Sequence, residues 1–370
     1  MSPPNTKLYN DMELAALLRC PTCRGKLDPE PQALRCVACQ RSFELIHGIP
    51  DLRSLPPDAP RHGEFCLEVI RRWPTSSYAD LWALFHQDAP DALRTIWRDH
   101  EEQAPQRGER RWDEILRHAA AARRPLPSGP RQLPAAAPPP PSADWRLSSP
   151  PCRLPSADCR LPSAGGRQPT ESALDIGCGA GSALFALARR FRLAIGLDIL
   201  LSDLLLAKKR FAEAGIANAA FVCASALELP LADDAFDLLN ATDVIEHIGE
   251  PARFLAEARR VLRPGGVFFF NSPNRFSLLT PEPHVKLWWV GWLPRGWAEP
   301  YVRWRLGKPY RGKRLLSLGE LRRSLRSTFG AGSFAIRSFA PRGRLARALT
   351  RPIEALARPI LPQHNALAWK

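Results

Sequence analysis

The chain has 370 residues, 45% of them apolar and 24% charged. That balance allows at least one sizeable core and excludes a wholly disordered polymer, and the length predicts two or three units. No apolar run reaches the roughly 18–20 residues of a membrane span. The polar, acidic start lacks a basic-then-apolar leader, so the expected location is cytoplasmic. The net charge of +15 is local: residues 275–370 hold 19 Lys/Arg and 4 Asp/Glu, whereas residues 1–274 hold 33 of each. Arginine outnumbers lysine 44 to 8, as a GC-rich coding sequence would give, so arginine abundance by itself is weak ground for phosphate binding. A solvated basic face and a surface for an anionic partner both account for the excess.

The first unit, 1–56, carries Cys20-Pro-Thr-Cys23 and Cys36-Val-Ala-Cys39, with twelve residues between the pairs. Two such knuckles complete a tetrahedral four-thiolate shell for a structural zinc, and a closed shell leaves no open position for catalysis. Leu27 and Leu34 in the gap predict a short hairpin, Gly25 stands where a tight turn is wanted, and His47 reads as a turn residue before Gly48. With so little core, metal binding would supply much of this unit's folding free energy. Four unligated cysteines in a small apolar cluster are the alternative. The other five cysteines (Cys66, Cys152, Cys159, Cys178, Cys223) are scattered, and an odd total argues against a disulfide framework.

Residues 57–124 show helical spacing, with Leu81, Leu84 and Phe85 and then Trp112, Ile115 and Leu116. Residues 125–169 contain 13 of the 38 prolines and a near-repeat around Cys152 and Cys159, which predicts a disordered linker. From 170 to 340, strand-like runs at 173–176, 193–198, 219–223, 236–241 and 266–271 alternate with helices over 181–191, 201–214, 250–262 and about 317–328. This alternation predicts an α/β fold with a mostly parallel sheet. An insertion, 275–316, interrupts it. The tail, 341–370, reads as a basic amphipathic helix followed by a last, antiparallel strand over 365–369.

The sharpest pattern is Ala173-Leu-Asp-Ile-Gly-Cys-Gly-Ala-Gly-Ser-Ala183. A strand ends at Asp175-Ile176, and Gly177, Gly179 and Gly181 open a helix; glycine is needed where the backbone turns tightly and approaches a ligand. A dinucleotide fingerprint needs Gly or Ala at 182, but Ser182 stands there, which argues against NAD or FAD. Asp198 closes the next strand, 23 residues after Asp175, where a carboxylate can accept from both hydroxyls of a ribose. A tight turn without ligand is the bland alternative.

LDIGCGAG, Asp198, ELPLADDAFDLLNATDVIEHI and Val261-Leu-Arg-Pro-Gly-Gly266 together resemble the class I S-adenosylmethionine-dependent methyltransferases. The resemblance implies a Rossmann-like sheet whose last strand is antiparallel, and S-adenosylmethionine as cofactor. It places Asp175, Gly177, Cys178, Gly179 and Gly181 around the methionine moiety with Asn240 and Asp243 nearby, Asp198 on the ribose, and Ser225, Ala226 and Leu227 beside the adenine. Ser225 departs from the family's frequent Asp, so that contact loses charge assistance. CPTCRGKL, LRCVACQRSF and HGIPDL resemble the small zinc-ribbon proteins that partner methyltransferases and ribbons fused to bacterial ribosomal-RNA methyltransferases. That likeness implies an internal scaffold or a substrate-recruiting module.

Methylating a hydroxyl requires alignment, exclusion of water and removal of a proton. His247, in Asp243-Val-Ile-Glu-His, is the candidate base because imidazole titrates near neutrality; a structural Glu246–His247 pair at a helix start is the alternative. Asp243, Glu246 and His247 also resemble an acidic-x-x-Glu-His run linked to a divalent metal in quinone O-methyltransferases. The stretch Asn240-Ala-Thr-Asp243 lacks the Asn/Asp-Pro-Pro-aromatic motif of amino-methyltransferases that act on flipped bases. The insertion holds five of the eleven tryptophans among Arg295, Arg303, Arg305, Lys308 and Arg311, and is the expected substrate lid. Its aromatics suit base stacking, sugar gripping or a lipid headgroup layer, or else form the core of a small helical subdomain. The expectation is O-methylation of an anionic or hydroxyl-bearing acceptor, small, lipid-linked or glycan-linked, with peripheral membrane contact as a further option. An rRNA or tRNA methyltransferase using the ribbon and basic C-terminus is the alternative, and a cofactor-binding scaffold without chemistry is a third reading.

Overall fold

A computed structural model describes residues 13–55, 60–90, 94, 172–337 and 358–370. The expected linker, residues 125–169, lies outside them, as do Trp112, Ile115, Leu116 and the expected basic helix over 341–357. The N-terminal unit is a four-stranded antiparallel sheet in the order β1 (Leu27–Glu30), β2 (Ala33–Cys36), β3 (Ser42–Ile46), β4 (Ile49–Pro50). The expected hairpin is β1–β2, with Leu27 opposite Cys36. His47 (φ 48°) and Gly48 (φ 74°) turn the chain between β3 and β4. Gly25 serves a different end from the one expected. The left-handed residue is Arg24 (φ 62°), and a Cβ on Gly25 would lie 2.9 Å from Ala38 Cβ and 3.1 Å from Cys36 Sγ. Crowding by the cysteine cluster therefore demands this glycine.

The main sheet has seven strands in the order β10-β11-β9-β8-β5-β6-β7. These are β5 (Ser172–Ile176), β6 (Leu193–Asp198), β7 (Ala219–Cys223), β8 (Phe236–Ala241), β9 (Leu262–Pro273), β10 (Phe334–Arg337) and β11 (Gln363–Trp369). Strands β5 to β9 pair in parallel, and β11 pairs antiparallel with both β9 and β10. This is the expected Rossmann-like arrangement. Every residue of β5 and β8 is buried, because helices cover both faces of a parallel sheet and both faces must be apolar. β9 begins at Leu262, where a helix was expected to end, and continues past Asn271.

Helices α1 (Glu64–Arg72), α2 (Tyr78–Phe85), α3 (Ser182–Ala188) and α4 (Leu201–Glu213) precede α5 (Pro251–Val261), α6 (Arg295–Leu306) and α7 (Leu318–Phe329). Each start has a local cause. Pro251 occupies the first turn of α5, and Ser77–Asp80 and Ser317–Glu320 form capping boxes at α2 and α7. Phe254, Leu255, Ala258 and Val261 give α5 one buried stripe. α1 and α2 pack on the outer side of α4: Trp73 Nε1 donates to the Leu205 carbonyl (2.9 Å), and the Tyr78 amide donates to Glu213 (2.7 Å).

The N-terminal sheet, the expected ribbon, covers the β7 edge of the main sheet. Asp51 bridges Cys223 of β7 in parallel, Leu52 N donates to Cys223 O (2.8 Å), and Arg19 N donates to Pro230 O (2.8 Å). Leu18, Leu27, Leu34 and Phe43 join the same buried cluster as Leu174, Ile195 and Val222. An open strand edge invites unwanted pairing, and here the ribbon's own backbone satisfies part of it.

Candidate active site

The glycine loop follows β5 at the point where the chain's crossovers change direction, β5 lying between β6 and β8. That switch point leaves a crevice at the strands' C-terminal ends. Gly177, Gly179 and Gly181 have φ of 69°, 49° and 83°. A Cβ on Gly177 would lie 2.4 Å from Val244, and one on Gly181 would lie 2.8 Å from the Phe211 ring, whereas one on Gly179 meets nothing within 4 Å. Two glycines are thus required by packing, and the third leaves the top of the loop open. Cys178 is buried below it, where a side chain on Gly196 would collide with its Sγ.

Asp198, at the end of β6, accepts from Gly179 N through Oδ2 (2.9 Å) and from Leu200 N through Oδ1 (3.0 Å). Asp175 is buried; Asn240 Nδ2 donates to its Oδ1 (2.7 Å), while its Oδ2 has no hydrogen-bond partner. Burial pushes the Asp175 carboxyl up to about 7, against the Asn240 hydrogen bond and with added repulsion from Asp198. Asp203, in the first turn of α4, is raised to about 6 by burial and then by Asp198. Three acids therefore surround the loop, an environment that favours a cation. Asp203 escaped sequence reasoning; its signal is an acid one turn beyond Asp198.

Ser225, Ala226 and Leu227 follow β7, and Ser225 Oγ accepts from Leu227 N (3.2 Å). Asp243 (φ 55°) is locked to β9: its amide donates to Asn271 Oδ1 (2.8 Å), and Asn271 Nδ2 donates to its Oδ1 (3.0 Å). Asp243 thus faces β9. The residue that joins Glu246 and His247 comes from the insertion: His284. Nitrogen or oxygen atoms of Glu246, His247 and His284 lie within 4.8 Å of one another.

His247 Nε2 and His284 Nε2 are 3.4 Å apart. Lys313 Nζ reaches His247 Nδ1 at 2.7 Å, and His284 Nδ1 reaches Glu282 Oε1 at 2.6 Å. Lysine can only donate and carboxylate only accept, so this network assigns donation from Lys313 to His247, from His247 to His284, and from His284 to Glu282. Burial, then Lys313 and His284, depress His247 to about 4. Burial works against the charge of buried Glu282, but His284 and the Val285 amide outweigh it and hold the carboxyl below its usual range. Glu246 is also buried; burial raises it to about 8, and its Oε2 is unpartnered. His284 and Glu282 were missed in the sequence because they lie some forty residues along the chain from His247, inside the insertion. A small cleft of about 20 Å³ opens beside Glu282, lined also by Asn274, Arg275, Trp289 and Trp292.

In the ribbon, Cys20 Sγ and Cys39 Sγ are 3.6 Å apart, and Cys23 Sγ and Cys36 Sγ are 3.4 Å apart. A tetrahedron with Zn–S of about 2.3 Å has sulfur–sulfur edges of roughly 3.8 Å, so the four thiols fit one ion. The Cys39 amide, donating to Cys36 Sγ (3.5 Å), leads the effects that bring the Cys36 thiol down to about 6. At the junction with β7, buried Asp51 pairs with Arg53 (2.8 Å) and Arg61 (3.0 Å). Arg53 Nη1 also reaches the carbonyl of Ile199, next to Asp198 (3.4 Å).

Residues 174–270 match the methyltransferase domain family. A ubiquinone biosynthesis O-methyltransferase of Parvibaculum lavamentivorans is 33% identical over 129 residues, which make up 33% of this chain and 49% of that protein. One of Hahella chejuensis is 31% identical over 138 residues, 35% of this chain and 56% of that protein. The chain thus spans about half the length of these curated relatives. A solved S-adenosylmethionine dependent methyltransferase from Mesorhizobium loti is 20% identical, covering 55% of this chain and 94% of that one, with a TM-score of 0.37. Residues 174–270 of the α/β unit are thus similar to methyltransferase domains.

Proposed function

We propose that this chain is an S-adenosylmethionine-dependent O-methyltransferase acting on a hydroxyl-bearing acceptor. The observation that carries the reading is the Gly177–Gly181 loop tethered to Asp198, open above Gly179, with the buried Oδ2 of Asp175 unpartnered beneath it. These residues fit the cofactor: an unpartnered buried carboxylate oxygen suits an ammonium, and an acid at the end of β6 suits ribose hydroxyls. Asp175, Asn240, Gly177, Cys178, Gly179 and Gly181 would hold the methionine moiety, Asp198 the ribose, and Ser225, Ala226 and Leu227 the adenine. When bound, S-adenosylmethionine supplies a methyl group made electrophilic by its sulfonium. The similarity to ubiquinone biosynthesis O-methyltransferases supports oxygen as the acceptor atom.

The proton leaves through the histidine pair. Glu282 fixes the His284 tautomer so that Nε2 is the acceptor, and its carboxylate stabilises the imidazolium that forms. Lys313 keeps His247 neutral, with its hydrogen on Nε2 facing His284. His247 thereby orients the pair; an entering acceptor hydroxyl would displace the His247 hydrogen bond from His284 Nε2, and that nitrogen would then take the hydroxyl proton. A divalent cation held by Glu246, His247 and His284 is the second reading, favoured by their convergence and by the unpartnered Oε2 of Glu246.

The four cysteines hold a structural zinc in this reading. The RNA alternative is weakened by the docking of the N-terminal sheet, since residues 17–19 and 51–52 are committed to the α/β unit. Titration with S-adenosylhomocysteine and incubation of the chain with methyl-labelled cofactor and separated lipid, glycan, small-molecule and RNA fractions test the proposal. Heat of binding and label in a hydroxyl-bearing non-RNA fraction are expected. Absence of both heat and label would overturn it.

A further inference from the structure

The insertion holds seven of the thirteen large hydrophobic side chains that are exposed among the described residues. Its five tryptophans, at 288, 289, 292, 297 and 304, are 45 to 77% exposed, and Leu279 and Leu306 stand beside them in the same segment at 60% and 40%. The reading of these tryptophans as a subdomain core therefore fails. Among the other described residues, Trp82 is 6% exposed and Trp73 is tied to α4. On α6, Trp297 and Trp304 are seven residues apart and share a side, while Val302, 0% exposed, turns to the opposite side. The helix thus buries one face and offers indoles on the other.

Charge tells what covers this face. Residues 275–316 hold nine Lys/Arg and two Asp/Glu. Arg305 lies over the Trp304 ring (5.6 Å), and Arg303, Arg305 and Lys308 are exposed around it. Indole beside guanidinium is the pairing of the membrane–water interface, where the ring sits at headgroup depth and the cation meets phosphate. Exposed Leu279 and Leu306 favour an acyl boundary over nucleic acid, because an aliphatic side chain has no face on which a base stacks. No helix among the described residues is long and apolar enough to cross a membrane, so the contact is peripheral.

We propose that this face of the insertion docks on the surface of an anionic lipid bilayer. The same segment carries Glu282 and His284, so docking would bring the proposed proton acceptor against the headgroups. That consequence rests on the methyl-transfer reading; docking itself does not, and the experiment reads docking alone. The full chain is sedimented with vesicles of phosphatidylcholine, with and without phosphatidylglycerol. It is expected to pellet at least about tenfold better with the anionic vesicles. A Trp297→Ser/Trp304→Ser variant with an unchanged circular-dichroism melt should lose about tenfold of that binding, and Arg305→Gln/Lys308→Gln should lose the preference for anionic lipid. A chain that stays in the supernatant with both vesicles, or a tryptophan variant that pellets like the parent, overturns the proposal. So does binding to polyuridylate, without binding to vesicles, that the tryptophan variant abolishes; that outcome makes this a nucleic-acid face.

Discussion

Asp198 holds the loop it serves: one oxygen takes the Gly179 amide at 2.9 Å, the other the Leu200 amide at 3.0 Å. A single carboxylate therefore fixes the glycine loop and the start of α4 while standing where ribose is expected. Asp198→Ala should weaken S-adenosylhomocysteine binding at least about tenfold, or about 1.4 kcal/mol. Calorimetric titration reads it, and unchanged affinity would remove the ribose assignment.

Asp175 sets a pH dependence. Its carboxyl is raised by burial to about 7 in the fold, so the stability it contributes is complete below the unfolded value and is lost as pH rises through about 7. Asp175 alone should thus cost the cofactor-free protein about 2–4 kcal/mol between pH 5 and 8, with Glu246 and Asp203 acting in the same sense and His247 in the opposite one, and Asp175→Asn should remove the Asp175 share of the slope. Denaturant melts of parent and variant across that range check the sign. Parent and variant with the same pH dependence would contradict the burial argument.

In the proposed reading Glu282 and His284 share the acid–base work with His247. Glu282→Gln and His284→Ala should lower kcat by about 10–100-fold while cofactor affinity holds. His247→Ala, which leaves the Glu282–His284 pair intact, should cost less. Assays with and without added Mg²⁺ or Mn²⁺ separate the two readings of the site: a rate that requires the ion assigns Glu246, His247 and His284 to a cation.

The ribbon's contribution is energetic. Cys36→Ser should abolish a zinc content of about one per chain and lower the melting temperature of the methyltransferase domain, because the two units share a core. Asp51→Asn leaves the largely buried Arg53 without its charge partner and should cost about 3 kcal/mol. Equal melting temperatures for parent and variants would mean that the ribbon is only appended.

Much of this was legible from local chemistry. The knuckle spacing, the glycine loop and the buried run of β5 follow from short-range rules, and four of the parallel strands of the main sheet fall within a residue of their expected bounds. The Gly25 argument chose the wrong cause, since a steric demand from Cys36 and Ala38 belongs to contacts made across the fold. The tryptophans of the insertion defied composition for a related reason: whether an indole is core or surface depends on what packs over it.

The sequence by itself determined the α/β class, the glycine loop after β5 and the four-cysteine cluster, because each is written within a turn or a strand. Only the tertiary structure decided that His284 and Glu282 complete the His247 site, that the ribbon closes the β7 edge, and where the surplus of positive charge lies relative to exposed indoles. Those are meetings of residues distant along the chain. Spacing along the chain carries no information about them until packing brings the side chains within hydrogen-bonding reach.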